Sequence, residues 1–232
     1  MKKAAEEIYR DRKQFFNDRA GEWLDLCYRD PQSGRFDLHA AAFDRLFALV
    51  PLRPGERVLD AGCGSGVLVP RILERIGPEG ILCELDFAER MIEENRRLHP
   101  GPNIRFVVAD VARAPLEPES FDTVFCFSCF PHFDRKPEVV GALARALRAG
   151  GSLVISHFNS ADEINRRHES CPAVSHDHLP GPEAMKGMVA EAGLRVVQFI
   201  DEDGFYCLLA RKQPPAPAAG RSRRWQTARG SL

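Results

Sequence analysis

The sequence predicts an α/β fold: a doubly wound, mostly parallel sheet of seven strands whose last two strands form an antiparallel hairpin. Three observations carry this. Between residues 53 and 211 short apolar runs alternate with helix-patterned runs, as parallel strands and their crossover helices do. A glycine-rich turn follows the first apolar run directly. The alternation breaks once, where two strand-like runs are separated only by Asp201-Glu202-Asp203-Gly204, a link too short for a crossover.

Two helical segments, 4–27 and 37–50, precede the sheet. In the first, Phe16, Ala20, Trp23, Leu24 and Cys27 form an apolar stripe, which suits a docking face or a lid. Residues 57–61 make the first strand. Val67, Leu68, Ile72 and Ile76 mark a helix that Gly77 ends. Strand 80–86, helix 88–98, strand 104–109 and strand 121–127 follow, each strand short enough for a core position. In 137–147, Val139, Val140, Leu143 and Leu147 share a helical face, and Gly150-Gly151 turns the chain into strand 152–157. A helix at 183–192 leads to the hairpin strands, 194–200 and 205–210. The expected organisation is a helical cap or lid (1–52), a sheet domain (53–212) and an Arg-rich tail (213–232).

At 232 residues, 44% hydrophobic and 28% charged, the chain has the length and composition of one globular domain with a sizeable core. No apolar run approaches the roughly 18 residues needed to cross a bilayer. The segment Met1 to Lys13 mixes Lys2 and Lys3 with Glu6, Glu7 and Asp11, unlike a signal peptide. A soluble, cytoplasmic protein is expected. The seven cysteines are an odd number, and Cys63, Cys83, Cys126, Cys129 and Cys207 lie in apolar or glycine-rich settings, which suits reduced, buried thiols. Cys126-x-x-Cys129 has a metal-like spacing but no second pair and lies in a Phe-rich run, so core packing rather than a metal is expected of this pair. Of 32 basic and 33 acidic residues, the tail holds four arginines and no acid, leaving 28 basic against 33 acidic in residues 1–212. The body is therefore no nucleic-acid surface. The tail is too poor in apolar residues to bury itself and reads as disordered.

The most informative segment is Val58-Leu59-Asp60-Ala61-Gly62-Cys63-Gly64-Ser65-Gly66, a strand running into a glycine turn and then a helix. Glycines let backbone pass close to a ligand, and the N–H groups of a following helix attract anionic groups. The spacing G-x-G-x-G, with an acid two residues before the first glycine, departs from the dinucleotide fingerprint.

This segment, with its downstream acids, resembles the class I S-adenosylmethionine-dependent methyltransferases over roughly residues 53–211, and within them the methyltransferase type 11-like branch acting on small molecules. The resemblance implies a Rossmann-like sheet and S-adenosylmethionine as cofactor. It sets Asp60 near the methionine amino group and lines the methionyl and ribose portions with the backbone from Gly62 through Cys63 and Gly64 to Gly66. Asp86, followed by Phe87, falls where the family places the acid that accepts from the ribose hydroxyls, and an ionised carboxylate has acceptor oxygens for two adjacent OH donors. Glu84 competes for that role. Val108-Ala109-Asp110-Val111 resembles the adenine-edge site, with Asp110 accepting from the exocyclic amine and the Val111 N–H meeting the ring. Ser128, directly after the fourth strand, completes the expected cofactor contacts.

The acceptor side is weakly encoded, because in-line methyl transfer needs alignment and water exclusion first and a base only when the acceptor loses a proton. Ser128-Cys129-Phe130-Pro131-His132-Phe133 is not the Asn/Asp-Pro-Pro-aromatic sequence of enzymes that methylate amide or adenine amino groups, and no Pro-Cys nucleophile of the cytosine C5 type is present. A small-molecule acceptor is expected, and nucleic acid is disfavoured. Alternatives are an RNA or protein methyltransferase guided by the basic tail and a non-catalytic S-adenosylmethionine-binding module. The stretch from His157 to His178 holds four of the seven histidines. His157, His132, His168 and His178 are the candidate catalytic residues, since an imidazole titrates near working pH; His176 shares the segment, and a solvated loop or a metal site built from several of these histidines are the competing accounts.

Overall fold

The computed structural model describes residues 2–214. The expectation for the Arg-rich tail falls outside them from residue 215 onward. Seven strands, β1 Arg57–Ala61, β2 Ile81–Asp86, β3 Ile104–Val108, β4 Phe121–Phe127, β5 Leu147–His157, β6 Leu194–Glu202 and β7 Phe205–Lys212, form one sheet in the order β3-β2-β1-β4-β5-β7-β6. The first five pair in parallel, and β7 runs antiparallel between β5 and β6. The doubly wound sheet and its terminal hairpin are as the sequence predicts.

Successive strand residues point to opposite faces, so the sheet feeds two cores. Val58, Phe125 and Val154 pack with Leu46 and Phe47 of α3 (Ala40–Leu49) and Ile72 and Ile76 of α4 (Val69–Ile76). Their sequence neighbours Leu59, Cys126 and Ile155 pack with Val140 and Leu143 of α6 (Lys136–Ala146) and Met185 and Val189 of α8 (Pro182–Glu191). Each such fully buried side chain contributes roughly 1.5–3 kcal/mol. A third cluster unites Phe16 and Ala20 with Met91 of α5 (Glu89–Leu98) and Val174. It docks the N-terminal helix on the sheet domain.

Three local expectations need correction. The single helix expected at 4–27 is divided into α1 (Lys2–Arg19), a 3-10 turn at Ala20–Glu22 and α2 (Trp23–Tyr28); Gly21, a poor helix former, sits in the tightened turn. Gly150-Gly151 does not separate helix from strand. β5 already begins at Leu147, opposite Phe121, and the register then shifts before Thr123, with Gly150 at φ +78°, a bulge in which glycine costs least. The histidine-rich stretch is not all loop: α7 (Ala161–Glu169) starts at a capping box of Ser160 and Glu163, a signal present in the sequence as S-x-x-E.

Among the described residues no helix is long and apolar enough to cross a membrane. The seven cysteines are free. No group of three or more His, Cys, Asp or Glu side chains among the described residues is arranged to hold a metal ion.

Candidate functional site

A cavity of about 680 Å³ opens over the carboxyl ends of β1–β4, where the strand order reverses between β1 and β4; open α/β sheets bind ligands at this switch point. Its floor is the glycine turn. Gly62 (φ +81°) lies so close to the turn after β4 that a Cβ there would stand 2.7 Å from Cys129 Cβ, and at Gly66 (φ +87°) a Cβ would stand 2.3 Å from Asn95 Oδ1. Side chains at these two positions would push the turn off its supports.

Three carboxylates lie beneath and beside that turn. Asp60 is 1% exposed, and its Oδ1 has no hydrogen-bond partner among the described residues. Burial, then the proximity of Glu84, holds its pKa well above the ordinary value. Glu84 is fully buried and accepts from Asn95 Nδ2 at 2.6 Å; burial pushes its pKa to about 8. Asp86 accepts from the Gly64 N–H through Oδ2 and the Ala88 N–H through Oδ1, both at 2.9 Å. Burial lifts it to about 6, with these backbone donors opposing. Both oxygens of Asp86 are thus already engaged, each with one lone pair to spare, while Glu84 is turned to Asn95.

Asp60, Gly62, Cys63 and Gly64 line the cavity, as do Asp86 and Phe87 beyond them. Asp110, Val111 and Ser128 complete that wall; Asp110 Oδ1 accepts from the Ala112 N–H, and Ser128 holds a left-handed backbone at φ +53°. Gly66, expected among the lining residues, does not line the cavity; it packs against Asn95 behind the turn, where a side chain would not fit. An orphaned buried carboxylate oxygen on a residue that lines a cavity is costly without a cation or donor. The positive methionine end of S-adenosylmethionine supplies both, and the hydroxyls of its ribose match the acceptor capacity left on Asp86. The residues present fit the cofactor.

The expected histidines separate. His132 lines the cavity and Nδ1 meets Asp177 Oδ2 at 2.7 Å. Burial lowers its pKa against the opposing pull of Asp177. Burial alone would raise Asp177, but His132 and Arg12 outweigh it and hold the carboxyl below its ordinary value. Asp177 is therefore ionised, Nδ1 donates, and Nε2 keeps the lone pair. His168 does not line the cavity: its Nδ1 is 2.6 Å from the Asp177 carbonyl oxygen and its ring is 5.0 Å from that of His132. His157 is 5% exposed, with Nε2 unpartnered among the described residues; burial drives it down to about 3. His178 is exposed and away from the cavity, whereas His176 reaches its rim.

Sequence reasoning missed Tyr9, Arg12 and Asp177 as parts of the site. Phe16 and Trp23, noted only as a stripe, form its roof. Phe16 stands 5.0 Å from the His132 ring and 5.5 Å from Trp23, and Trp23 Nε1 would be 3.7 Å from a Cβ at Gly64. No local signal announces Arg12 and Asp177, which meet across 165 residues of chain.

The methyltransferase domain family matches residues 58–151. The 27-O-demethylrifamycin SV methyltransferase of Amycolatopsis mediterranei (strain S699) is 31% identical over 143 residues, 60% of this chain and 52% of that protein. The ubiquinone/menaquinone biosynthesis C-methyltransferase UbiE of Ectopseudomonas mendocina (strain ymp) is 30% identical over 112 residues, 47% of this chain and 44% of that protein. The chain thus spans about half the length of the curated relatives it matches. A Haloferax volcanii methyltransferase complex with the Trm112 activator contains a chain of similar fold (TM-score 0.72, 18% identity, covering 86% of this chain and 98% of that one). So does a SAM-dependent methyltransferase from Aquifex aeolicus (0.63, 19%, 79% and 94%); at such identities the likeness concerns the fold. Residues 58–151 thus match a methyltransferase domain, and the glycine turn, strand-end acids and sheet order around them are similar to those of the class I S-adenosylmethionine-dependent methyltransferases.

Proposed function

We propose that this chain transfers the methyl group of S-adenosylmethionine to a small-molecule acceptor, with His132 taking the proton when the acceptor releases one. The observation that carries the reading is one cavity with two chemically different walls: the glycine turn and strand-end acids on one side, and the His132–Asp177 pair under the roof of Phe16 and Trp23 on the other. The likeness to a rifamycin methyltransferase and a quinone methyltransferase favours a small acceptor.

When bound, S-adenosylmethionine supplies a methyl group activated on a sulfonium, which departs as a neutral thioether. The chain's residues do the rest. Asp60, Asp86 and Asp110 orient the donor. The apolar roof excludes water and holds the acceptor in line. His132 Nε2 takes the acceptor's proton while the acceptor atom's own electron pair forms the bond to the methyl carbon, and Asp177 stabilises the resulting imidazolium.

Incubation with S-adenosylmethionine and fractionated metabolite pools should yield S-adenosylhomocysteine together with a methylated product. His132→Ala should slow transfer by about 10²- to 10⁴-fold while leaving cofactor affinity nearly unchanged. Cofactor binding without turnover on any pool would favour a binding module. No binding of either sulfur ligand would reject the reading.

A further inference from the structure

We propose that Arg12 is a positioning residue that couples docking of α1 to the charge of His132, so that the base is competent only while the helix closes the cavity. This rests on the reading of His132 as the base. The geometry is a shared carboxylate. Arg12, 2% exposed, reaches from α1 to Asp177 Oδ1 at 2.5 Å through one terminal nitrogen. Through the other it reaches the His132 carbonyl oxygen at 2.8 Å and Asp134 Oδ1 at 3.0 Å. Asp177, itself 2% exposed, uses its second oxygen for His132 Nδ1. One buried carboxylate therefore serves both the helix and the imidazole.

The remaining ties of α1 are weaker. Its polar contacts to α5 are Lys13 and Asn17 on Glu89, and Asn17 on the Arg90 N–H, all near the surface, where such pairs contribute little. Its apolar contact is the small cluster around Phe16. Tyr9, Arg12 and Phe16 line the cavity, so opening α1 exposes the ligand site and withdraws the guanidinium in one movement. Asp177 is then left with His132 as its remaining cation partner, and the pair holds a proton more tightly.

The other charged groups around His132 do not substitute for Arg12. His168 on α7 disfavours its protonation but does not belong to the moving helix, and His157 at the end of β5 is itself held neutral by burial. Asp134 lies in the same turn, and Lys136 is held by the Pro131 and Phe133 carbonyls at 2.8 Å. Of these charged groups that touch His132 or Asp177, Arg12 is the one carried by α1. The arrangement gives an order of events: ligands enter with His132 inclined to hold a proton, and closure returns Arg12, sheds that proton and readies Nε2.

The test is an NMR titration of the His132 ring in the whole protein, free and with S-adenosylhomocysteine, with hydrogen exchange of α1 as the measure of docking. Arg12→Met, which removes charge at similar volume, should raise the His132 pKa by about one unit. Arg12→Lys should restore most of the wild-type value. Asp134→Asn, which removes a partner of Arg12 outside the His132 pair, should move it less than Arg12→Met does. Phe16→Ala loosens α1 through its apolar side and should raise the His132 pKa in proportion to the lost protection. On an identified acceptor, the acid limb of the kcat profile should move up with Arg12→Met by the same amount, whereas a merely structural arginine would lower rates without moving the limb. Unchanged His132 titration in Arg12→Met, or in Phe16→Ala once exchange shows α1 loosened, overturns the coupling. Absence of turnover beside a shifted titration would reject the proposed activity and leave the coupling standing.

Discussion

Replacing Glu84 with glutamine should stabilise this protein, and by more as the pH rises. Glu84 is fully buried beside Asp60, with Asn95 Nδ2 donating to one carboxyl oxygen and no partner among the described residues for the other. Its pKa is raised from 4.5 to about 8, burial being the main cause. A folded pKa above the unfolded one means that the native state binds the extra proton, so its contribution is fully present below pH 4.5 and is lost as pH climbs through about 8. At 1.36 kcal/mol per unit, the loss is on the order of 3 kcal/mol by pH 7 and levels near 5 kcal/mol above pH 8. Glutamine has no proton to lose and keeps an oxygen for Asn95. Its melting temperature should match the wild type near pH 4 and exceed it by roughly 10 °C at pH 7 to 8, taking 2–4 °C per kcal/mol for a chain this long. Thermal unfolding of the ligand-free proteins from pH 4 to 9 measures this. A difference independent of pH, or a glutamine variant less stable than wild type at pH 8, would refute the burial argument.

Asp86→Ala should weaken S-adenosylhomocysteine binding by about 1.5–3 kcal/mol, the scale of charge-assisted hydrogen bonds, because it removes a ligand acceptor and also the partner of the Gly64 N–H; calorimetry measures it, and a larger loss in Glu84→Ala would reassign the ribose acid. His157→Phe should lessen acid sensitivity. The histidine's folded value near 3 lies below its ordinary 6.5, so its contribution is present above pH 6.5 and drains away as pH falls toward 3. Urea unfolding at pH 4 and 7.5 should show the variant gaining relative to wild type at the lower pH, and a constant difference would show that His157 does not titrate on unfolding.

Much of the donor side was legible because its residues are consecutive. Strand end, glycine turn and helix start form one stretch of chain, and parallel strands bring Asp60, Asp86 and Asp110 to one edge without any long-range detail. The sheet order needed only the alternation of elements and one short link. The roles of Glu84 and Asp86 were less legible: two residues apart on one strand, they point to the same face, and only packing turns Glu84 to Asn95 and leaves Asp86 at the cavity.

The acceptor side shows the opposite case. Histidine density marked 157–178, yet of the four candidates only His132, outside that stretch, lines the cavity, while His157 is sealed beside Tyr206. Nothing local distinguishes Arg12 from the other arginines of α1, or Asp177 from any loop acid. Their meaning arises when α1 docks and buries a guanidinium against a carboxylate 165 residues further along the chain. By itself the sequence determined the sheet and the donor-side turn, because periodicity and turn chemistry act between neighbours. Tertiary structure alone decided which histidine meets the cavity and what holds it, because burial and ion pairing depend on contacts between distant segments that no local pattern encodes.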